Sequence, residues 1–373
     1  MSRRPHVLQV VADGTPGGGT TAVLSLSRGL LAAGWNVSLA TQTNSYAYHE
    51  AAQSGMHAHG VTFFPASSPF SISRQISDVI HDTKPDLIHA HGGRGMSAFC
   101  LPPLRQLPQA LVYTVHGYHF LHKHGVRRWA AWAAEYIMAR RAAQMIFVGN
   151  SDRQIAELSR LLPRRAAASI IRNGINPGDF LAGETAPTYD LIFASRMHRQ
   201  KNPIFVVEIM KALRGTNVTL LMVGGGELEA EVRALAARYG LQDTITFTGT
   251  LPRADTIAAL RTARLYLFPS LWEGLPIGPI EAMMLGLPVI GSNIPGTDEV
   301  VAHERTGILI NGFDPAAYAT VILRLLRDDA LFNDMSRNAR QYATTQFDQG
   351  KNIAAHMSLY RRLMGSFCPS PQV

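Results

Sequence analysis

Short apolar runs recur along the chain, each followed by a glycine-bearing or polar break and then by apolar residues at helical spacing. Val7–Ala12 reads as a strand and Asp13–Gly19 as a loop; Val23, Leu26, Leu30 and Ala33 then share one helical face that Gly34 ends. Asn36–Thr41 is the next strand, followed by a strand at 61–64, a helix at 72–82 and a strand at 86–92 that ends in His89 and His91. A strand over 110–120 runs into a histidine-bearing loop. After Gln144 another strand meets a helix capped by Ser151 or Asp152 and stopped at Pro163, and 168–176 forms a last strand with a turn. Residues 177–190 are rich in Gly, Pro and Thr and lack apolar periodicity, which marks a linker. The alternation then restarts, with strands opening at Tyr189, within 217–241 and 243–253, and at Leu265 and Leu287. The segment 303–310, two helices, a helix over 352–365 and a loose tail from Phe367 complete the chain. Strand–helix alternation of this kind predicts parallel sheets covered by helices on both faces.

The densest chemistry lies in Leu265–Val301. A buried strand, Leu265–Phe268, leads into a loop with Trp272, Glu273 and Gly274; Pro279 suits the first turn of a short helix that Gly286 stops. Glu273 in the loop and Glu281 in the first helical turn both fall at the carboxyl edge of a parallel sheet, where open α/β folds bind ligands. The backbone N–H groups from Gly274 to Ile280 open that helix and suit a phosphate or a developing anion.

The block E-G-L-P-I-G-P-I-E-A-M with its G-L-P-V-I trailer resembles the Glu-x7-Glu motif of glycosyltransferase family 4, the glycosyl transferases group 1. These are retaining enzymes of the GT-B fold. The resemblance implies an α/β protein of two Rossmann-like, doubly wound domains facing a central cleft. It would place an acceptor-side domain at 1–180 and a nucleotide-sugar-binding domain at 181–349, with a helix at about 350–365 packing back onto the first. It extends to S-R-x4-K-N, where Arg196 and Lys201 match the cations that take the donor diphosphate. Ser195 and Asn202 replace the usual glycines without removing a charge. His116, after the T-x-H-G strand, matches the histidine beside the anomeric carbon. Gly17, Gly18 and Gly19 match the loop that closes over donor sugar and phosphates. Gly224 and Gly225 admit close backbone approach, with the following helix start as a second anion-friendly site, and Thr248, Gly249, Thr250 and Leu251 match the stretch that meets the nucleobase. Glu281 would hold the ribose hydroxyls and Glu273 the donor sugar, with N–H groups near Gly274, Leu275 and Pro276 assisting. The implied reaction moves a sugar, with retention, from a UDP- or GDP-sugar to a hydroxyl of a glycan or lipid-linked glycan, in bacterial polysaccharide or lipopolysaccharide assembly. A hydrolysing nucleotide-sugar 2-epimerase of the same fold and a non-catalytic scaffold are the alternatives. A Rossmann oxidoreductase would need G-x-G-x-x-G and an acidic ribose ligand after the second strand, and the chain has neither.

Composition bounds the setting. The 373 residues are 46% hydrophobic with a net charge of +8, the basic residues are dispersed, and no nucleic-acid module is recognisable. No apolar run is long enough for a membrane span, Cys100 and Cys368 show no pairing pattern, and a cytoplasmic protein is expected. The basic concentration is 122–143, where Arg127, Arg128, Arg140 and Arg141 accompany Trp129, Trp132 and Tyr136. Such a helix either lies on the inner face of a bilayer or turns its tryptophans to the core. His89, His91, His116, His119, His122 and His124 lack a zinc spacing pattern. The similar transferases carry no catalytic metal, so neither a metal nor a cofactor is expected.

Overall fold

A computed structural model describes residues 3–64, 68–107, 109–163, 167–180 and 186–367. The chain forms two compact units, residues 1–175 with 349–373, and residues 176–348. Cys368, most of the expected tail and linker residues 181–185 lie outside the described residues.

The first unit contains seven parallel strands: β1 His6–Val11, β2 Asn36–Gln42, β3 His57–Val61, β4 Leu87–His91, β5 Ala110–Val115, β6 Gln144–Phe147 and β7 Ala167–Ile170, in the order β3-β2-β1-β4-β5-β6-β7. The central strands β1, β4 and β5 are buried along their whole length, as expected for near-continuous apolar runs covered on both faces. One face carries the core of Leu8, Ile88, Tyr113 and Phe99; the other carries Val7, Leu30, Leu39 and Val112. Leu359 and Tyr360 of the terminal helix Gln349–Phe367 belong to the second of these cores, with Tyr360 against Trp35 at 5.8 Å between ring centroids.

The second unit contains β8 Tyr189–Ala194, β9 Leu220–Val223, β10 Ile245–Gly249, β11 Ala263–Phe268, β12 Val289–Ser292 and β13 Gly307–Ile310, all parallel, in the order β10-β9-β8-β11-β12-β13. Each sheet reverses its winding once, between β1 and β4 in the first and between β8 and β11 in the second. Those two points are where a doubly wound sheet leaves a crevice at its carboxyl edge.

Several local expectations are corrected. Residues 61–64 are not a strand: β3 ends at Val61, and the amides of Phe63 and Phe64 both donate to the Gln42 side chain at 2.8 Å instead of to a sheet neighbour. The helix Asn150–Leu158 is preceded by Gly149, so neither Ser151 nor Asp152 is its cap. Asp152 lies in the first turn, where the helix dipole favours a carboxylate, and Arg160 at φ 55° turns the chain before Pro163. The helix after β11 begins at Ile277, which makes Glu281 its fifth residue and moves that carboxylate out of the first turn. β12 starts two residues later than expected, because Gly286 at φ 82° and Pro288 first complete the turn. The short helix Tyr46–Gln53 is not among the elements that the apolar pattern predicts.

One crossing constrains the loop that follows β11. Gly296 sits at φ 89°, and a Cβ there would lie 1.8 Å from the Gly274 carbonyl oxygen. Gly296→Ala is expected to destabilise the protein by about 2–3 kcal/mol, because the clash is with backbone. Gly312→Ala, at φ 76° with nothing within 4 Å, should cost only about 1 kcal/mol. Parallel thermal melts of the two variants check the contrast.

Candidate functional site

In the second unit the chemistry gathers after β8 and β11. Leaving β8, the Ser195 N–H donates to Val223 O at 3.0 Å and the Met197 N–H to Gly225 O at 2.8 Å, which joins this loop to the glycine turn after β9. A Cβ on Gly224 would fall 2.1 Å from Ser195 O, and one on Gly226 2.6 Å from Met197 O. Close approach to the chain's own carbonyls therefore accounts for those two glycines, while Gly225 faces the Thr250 hydroxyl. The helix that follows, Glu229–Arg238, carries Glu229 and Glu231 in its first turn, where the helix dipole favours carboxylates. Thr248 and Gly249 end β10, and Gly249 O accepts from the Gly224 N–H at 2.8 Å, which sets Thr250 and Leu251 beside the glycine turn. Ser195 adopts no left-handed conformation, and Asn202 does so at φ 56°, a conformation asparagine tolerates, so both departures from glycine are accommodated.

Lys201 closes a short 3-10 turn, and its Nζ lies 2.5 Å from Glu273 Oε1 and 5.0 Å from the centre of the Phe268 ring. The pair is largely withdrawn from solvent, with 19% and 6% of the two side chains exposed. Gln200 ties the same loops together: its Nε2 donates to Trp272 O at 2.9 Å and lies 3.4 Å from Glu273 Oε2, while its carbonyl accepts from the Leu271 N–H at 2.8 Å. Arg196 is exposed and forms no ion pair with the described residues.

Glu281 is paired with Arg253, whose Nη2 also lies 3.7 Å from Asp179 Oδ2. Burial pushes the Glu281 carboxyl up, and the Arg253 guanidinium works against that shift. Arg253 opens the helix Arg253–Arg261, an end where the dipole disfavours a cation, so its carboxylate partners supply the compensation. Tyr266 stands in the field of both Glu273 and Glu281. Burial, with these two carboxylates adding to it, raises its hydroxyl, which donates to Ala194 O at 3.0 Å. Gly274, Leu275 and Pro276 lead into the helix Ile277–Met284; Pro276 and Pro279 have no N–H, so fewer donors face that end than the run from Gly274 to Ile280 suggests.

In the first unit, Gly17 precedes the helix Gly18–Ala32 in extended backbone, and Gly18 and Gly19 form its first turn. A Cβ at Gly17 or Gly19 would meet nothing within 4 Å, so the fold itself does not demand glycine there. His116 follows β5. Its Nε2 lies 3.3 Å from His91 Nδ1, and His91 Nε2 lies 2.7 Å from Gln9 Oε1. His89 is held by the Tyr360 hydroxyl at 2.5 Å and by Thr114 Oγ1 at 2.6 Å. His91, Thr114, His116, Asn173, Asn352 and His356 line one side of a small niche whose other lining includes Leu26, Ile146 and Ile171. Burial, with His356 adding to it, lowers His116 to about 4, and burial takes His356 to about 4 as well. Among the described residues, no group of three or more His, Cys, Asp or Glu is placed to hold a metal ion.

The tryptophan-bearing helix is Gly125–Arg141. Its tryptophans divide: Trp129 is 71% exposed, whereas Trp132 packs on the core and its Nε1 donates to Ser159 O at 2.9 Å. Arg141 points inward, donating to Phe99 O at 3.1 Å and Leu104 O at 2.9 Å, and so leaves the basic surface expected of it. No helix among the described residues is long and apolar enough to cross a membrane.

Sequence reasoning did not find Gln9, Gln200, Arg253, Tyr266 or Tyr360.

Residues 183–342 match the family described as glycosyl transferases group 1, and residues 17–174 match the glycosyl transferase 4-like domain. An Escherichia coli UDP-Gal:alpha-D-GlcNAc-diphosphoundecaprenol alpha-1,3-galactosyltransferase is 28% identical over 300 residues, 74% of this chain and 75% of that protein. A Streptomyces avermitilis D-inositol 3-phosphate glycosyltransferase is 30% identical over 235 residues, 55% of this chain and 51% of that one. Among solved structures, a sucrose-phosphate synthase from Thermosynechococcus elongatus superposes with a TM-score of 0.82 at 22% identity, covering 97% of this chain and 100% of that one. HepE of Anabaena, solved with UDP-glucose, gives 0.82 at 18% identity over 96% and 99% of the two chains. At these identities the structural likeness is one of fold, and the fold is GT-B.

The Arg253–Glu281 pair yields a signed prediction. Arg253→Met removes the group that opposes the rise of the Glu281 carboxyl, so a buried acid is left with its folded pKa above its unfolded one. Such a group is tolerated when protonated and costs stability as pH rises through its folded pKa. The unfolding free-energy deficit of the variant, measured by denaturant titration, should therefore widen from pH 5 to pH 8, towards about 2 kcal/mol after allowance for the partial exposure of Arg253. Arg253→Met with Glu281→Gln should remove the pH dependence.

Proposed function

We propose, for a chain that belongs to the glycosyl transferases group 1 family, transfer of a sugar with retention of configuration from a nucleotide-sugar donor to a hydroxyl of a glycan or lipid-linked glycan. The chain is a glycosyltransferase. The observation that carries the finer reading is the pair of carboxylates at the winding reversal of the second sheet, each matched by a cation from a neighbouring loop or helix start. Glu281 would accept from the ribose hydroxyls and Glu273 from hydroxyls of the donor sugar. Lys201 and Arg196 would take the diphosphate, whose charge grows as the glycosidic bond breaks, and their fixed positive charges would do so without a metal. Lys201 is paired with Glu273, so a diphosphate at this loop would share the lysine with that carboxylate. The departing phosphate would accept the proton of the incoming hydroxyl. Glu273 and Glu281 are therefore donor ligands and not the acid and nucleophile of a glycosidase. The UDP-galactose in the name of the Escherichia coli relative and the UDP-glucose bound to HepE favour a UDP-sugar, and the lipid diphosphate of the former favours a lipid-linked acceptor in bacterial polysaccharide assembly.

A lipid-linked acceptor calls for work at the cytoplasmic face of a membrane. The first residues of the helix Gly125–Arg141 are exposed throughout, with Val126 at 84% and Trp129 at 71% beside Arg127 and Arg128. An apolar pair flanked by cations suits an anionic bilayer interface.

A thermal-shift screen against UDP-, GDP-, ADP- and dTDP-sugars, each with magnesium and with EDTA, tests the donor reading. One nucleotide class at 100 times its dissociation constant should stabilise the protein by about 2.7 kcal/mol. The shift should survive EDTA and vanish in Lys201→Ala; a response to NAD(P) alone would overturn the assignment. Release of free sugar from the donor without any acceptor, faster than transfer, would favour the epimerase alternative. For the membrane, sedimentation with phosphatidylglycerol-containing liposomes should be lost in Trp129→Ser and in Arg127→Glu with Arg128→Glu, and kept in Arg141→Gln. An unaltered protein that leaves the liposomes in the supernatant would remove the membrane reading.

A further inference from the structure

Gln9 stands on β1, an interior strand of the first sheet between β2 and β4, and is wholly buried. A glutamine there costs stability unless its amide is used. Its carbonyl Oε1 lies 2.7 Å from His91 Nε2, and a carbonyl only accepts, so His91 Nε2 carries the hydrogen. A neutral imidazole has one N–H, which leaves His91 Nδ1 as a bare lone pair. That lone pair lies 3.3 Å from His116 Nε2, so the hydrogen between them belongs to His116 Nε2. By the same count His116 Nδ1 is then bare, and no described residue donates to it.

We propose that Gln9 and His91 are positioning residues that fix the tautomer of His116, so that His116 offers Nδ1 as a hydrogen-bond acceptor. The inference deepens the proposed function, since it rests on His116 touching the substrates. A bare Nδ1 recognises a hydroxyl, which can donate, and not a phosphate oxygen, which cannot. His116 in this state serves a sugar hydroxyl and gives no charge to the diphosphate.

The sense of the chain is set by which end of the Gln9 amide faces His91: the carbonyl does, and Gln9 Nε2 has no hydrogen-bond partner among the described residues. Burial also holds His91 and His116 well below their ordinary range, so the one-hydrogen count applies at neutral pH. The neighbouring branch is built alike, with Tyr360 from the terminal helix and Thr114 from β5 holding the two nitrogens of His89, whose ring centre lies 3.9 Å from that of His91 with the planes tilted by 34°.

The test is long-range 15N–1H correlation NMR on the full chain with labelled histidine, His116 being assigned by the signals that vanish in His116→Asn. The wild type should show His116 as the Nε2–H tautomer. In Gln9→Glu a carboxylate replaces the amide and favours a charged His91, whose Nδ1–H would then donate to His116 Nε2 and convert His116 to the Nδ1–H form. Gln9→Met, which keeps the volume and removes the acceptor, should give a mixture of the two and serves if the glutamate variant does not fold. Nδ1–H His116 in the wild type, or an Nε2–H form unmoved by both substitutions, would overturn the proposal. The measurement uses no substrate, so its outcome is separate from that of the donor screen.

Discussion

A carboxylate withdrawn from water at the edge of a sheet must face a cation or lose its charge. Glu273 meets Lys201 and Glu281 meets Arg253, and much of the second unit is arranged around those two contacts. Lys201 reaches its partner because a 3-10 turn and a left-handed Asn202 redirect the chain after β8, and Gln200 holds the loop after β11 against that turn. Glycines serve the same arrangement. Gly224 and Gly226 let the turn after β9 close on the 195–197 backbone, and Gly296 lets the chain cross the Gly274 carbonyl. The carboxyl edge of the second sheet is thus a set of loops pinned to one another by short backbone contacts, with the two ion pairs among them.

This arrangement suits a donor that is itself an anion with hydroxyls. Lys201 and Arg253 are each paired with one of the carboxylates that the proposed reading assigns to the sugar and ribose, while Arg196 is exposed.

The first unit uses a different material. Its carboxyl edge is lined by neutral histidines and amides, linked by hydrogen bonds to a glutamine in β1 and a tyrosine of the terminal helix. In such a chain the identity of each donor follows from the one before it, and a group that only accepts fixes the sense of the whole series. The helix Gln349–Phe367 is far in sequence from the strands of this unit, yet it completes this network through Tyr360 and lines the niche through His356.

The repeating strand–helix pattern and the two glutamates with their upstream Arg196 and Lys201 were legible in the residues themselves. Burial of parallel strands imposes continuous apolar runs, and ligand chemistry imposes charge at fixed offsets from them. Local sequence was less reliable at element ends: 61–64 resembled a strand because Phe63 and Phe64 are apolar, although their amides are met by a side chain from β2. The partners of the charges were not legible at all. Arg253 and Glu281, Gln9 and His91, and His89 and Tyr360 are each brought together by the order of strands in a sheet or by the packing of a helix, and separations of that length leave no periodic mark on the chain. Sequence determined which charges and rings the protein possesses; only the tertiary structure decided which of them neutralise, orient or donate to one another, because those choices depend on distance through space.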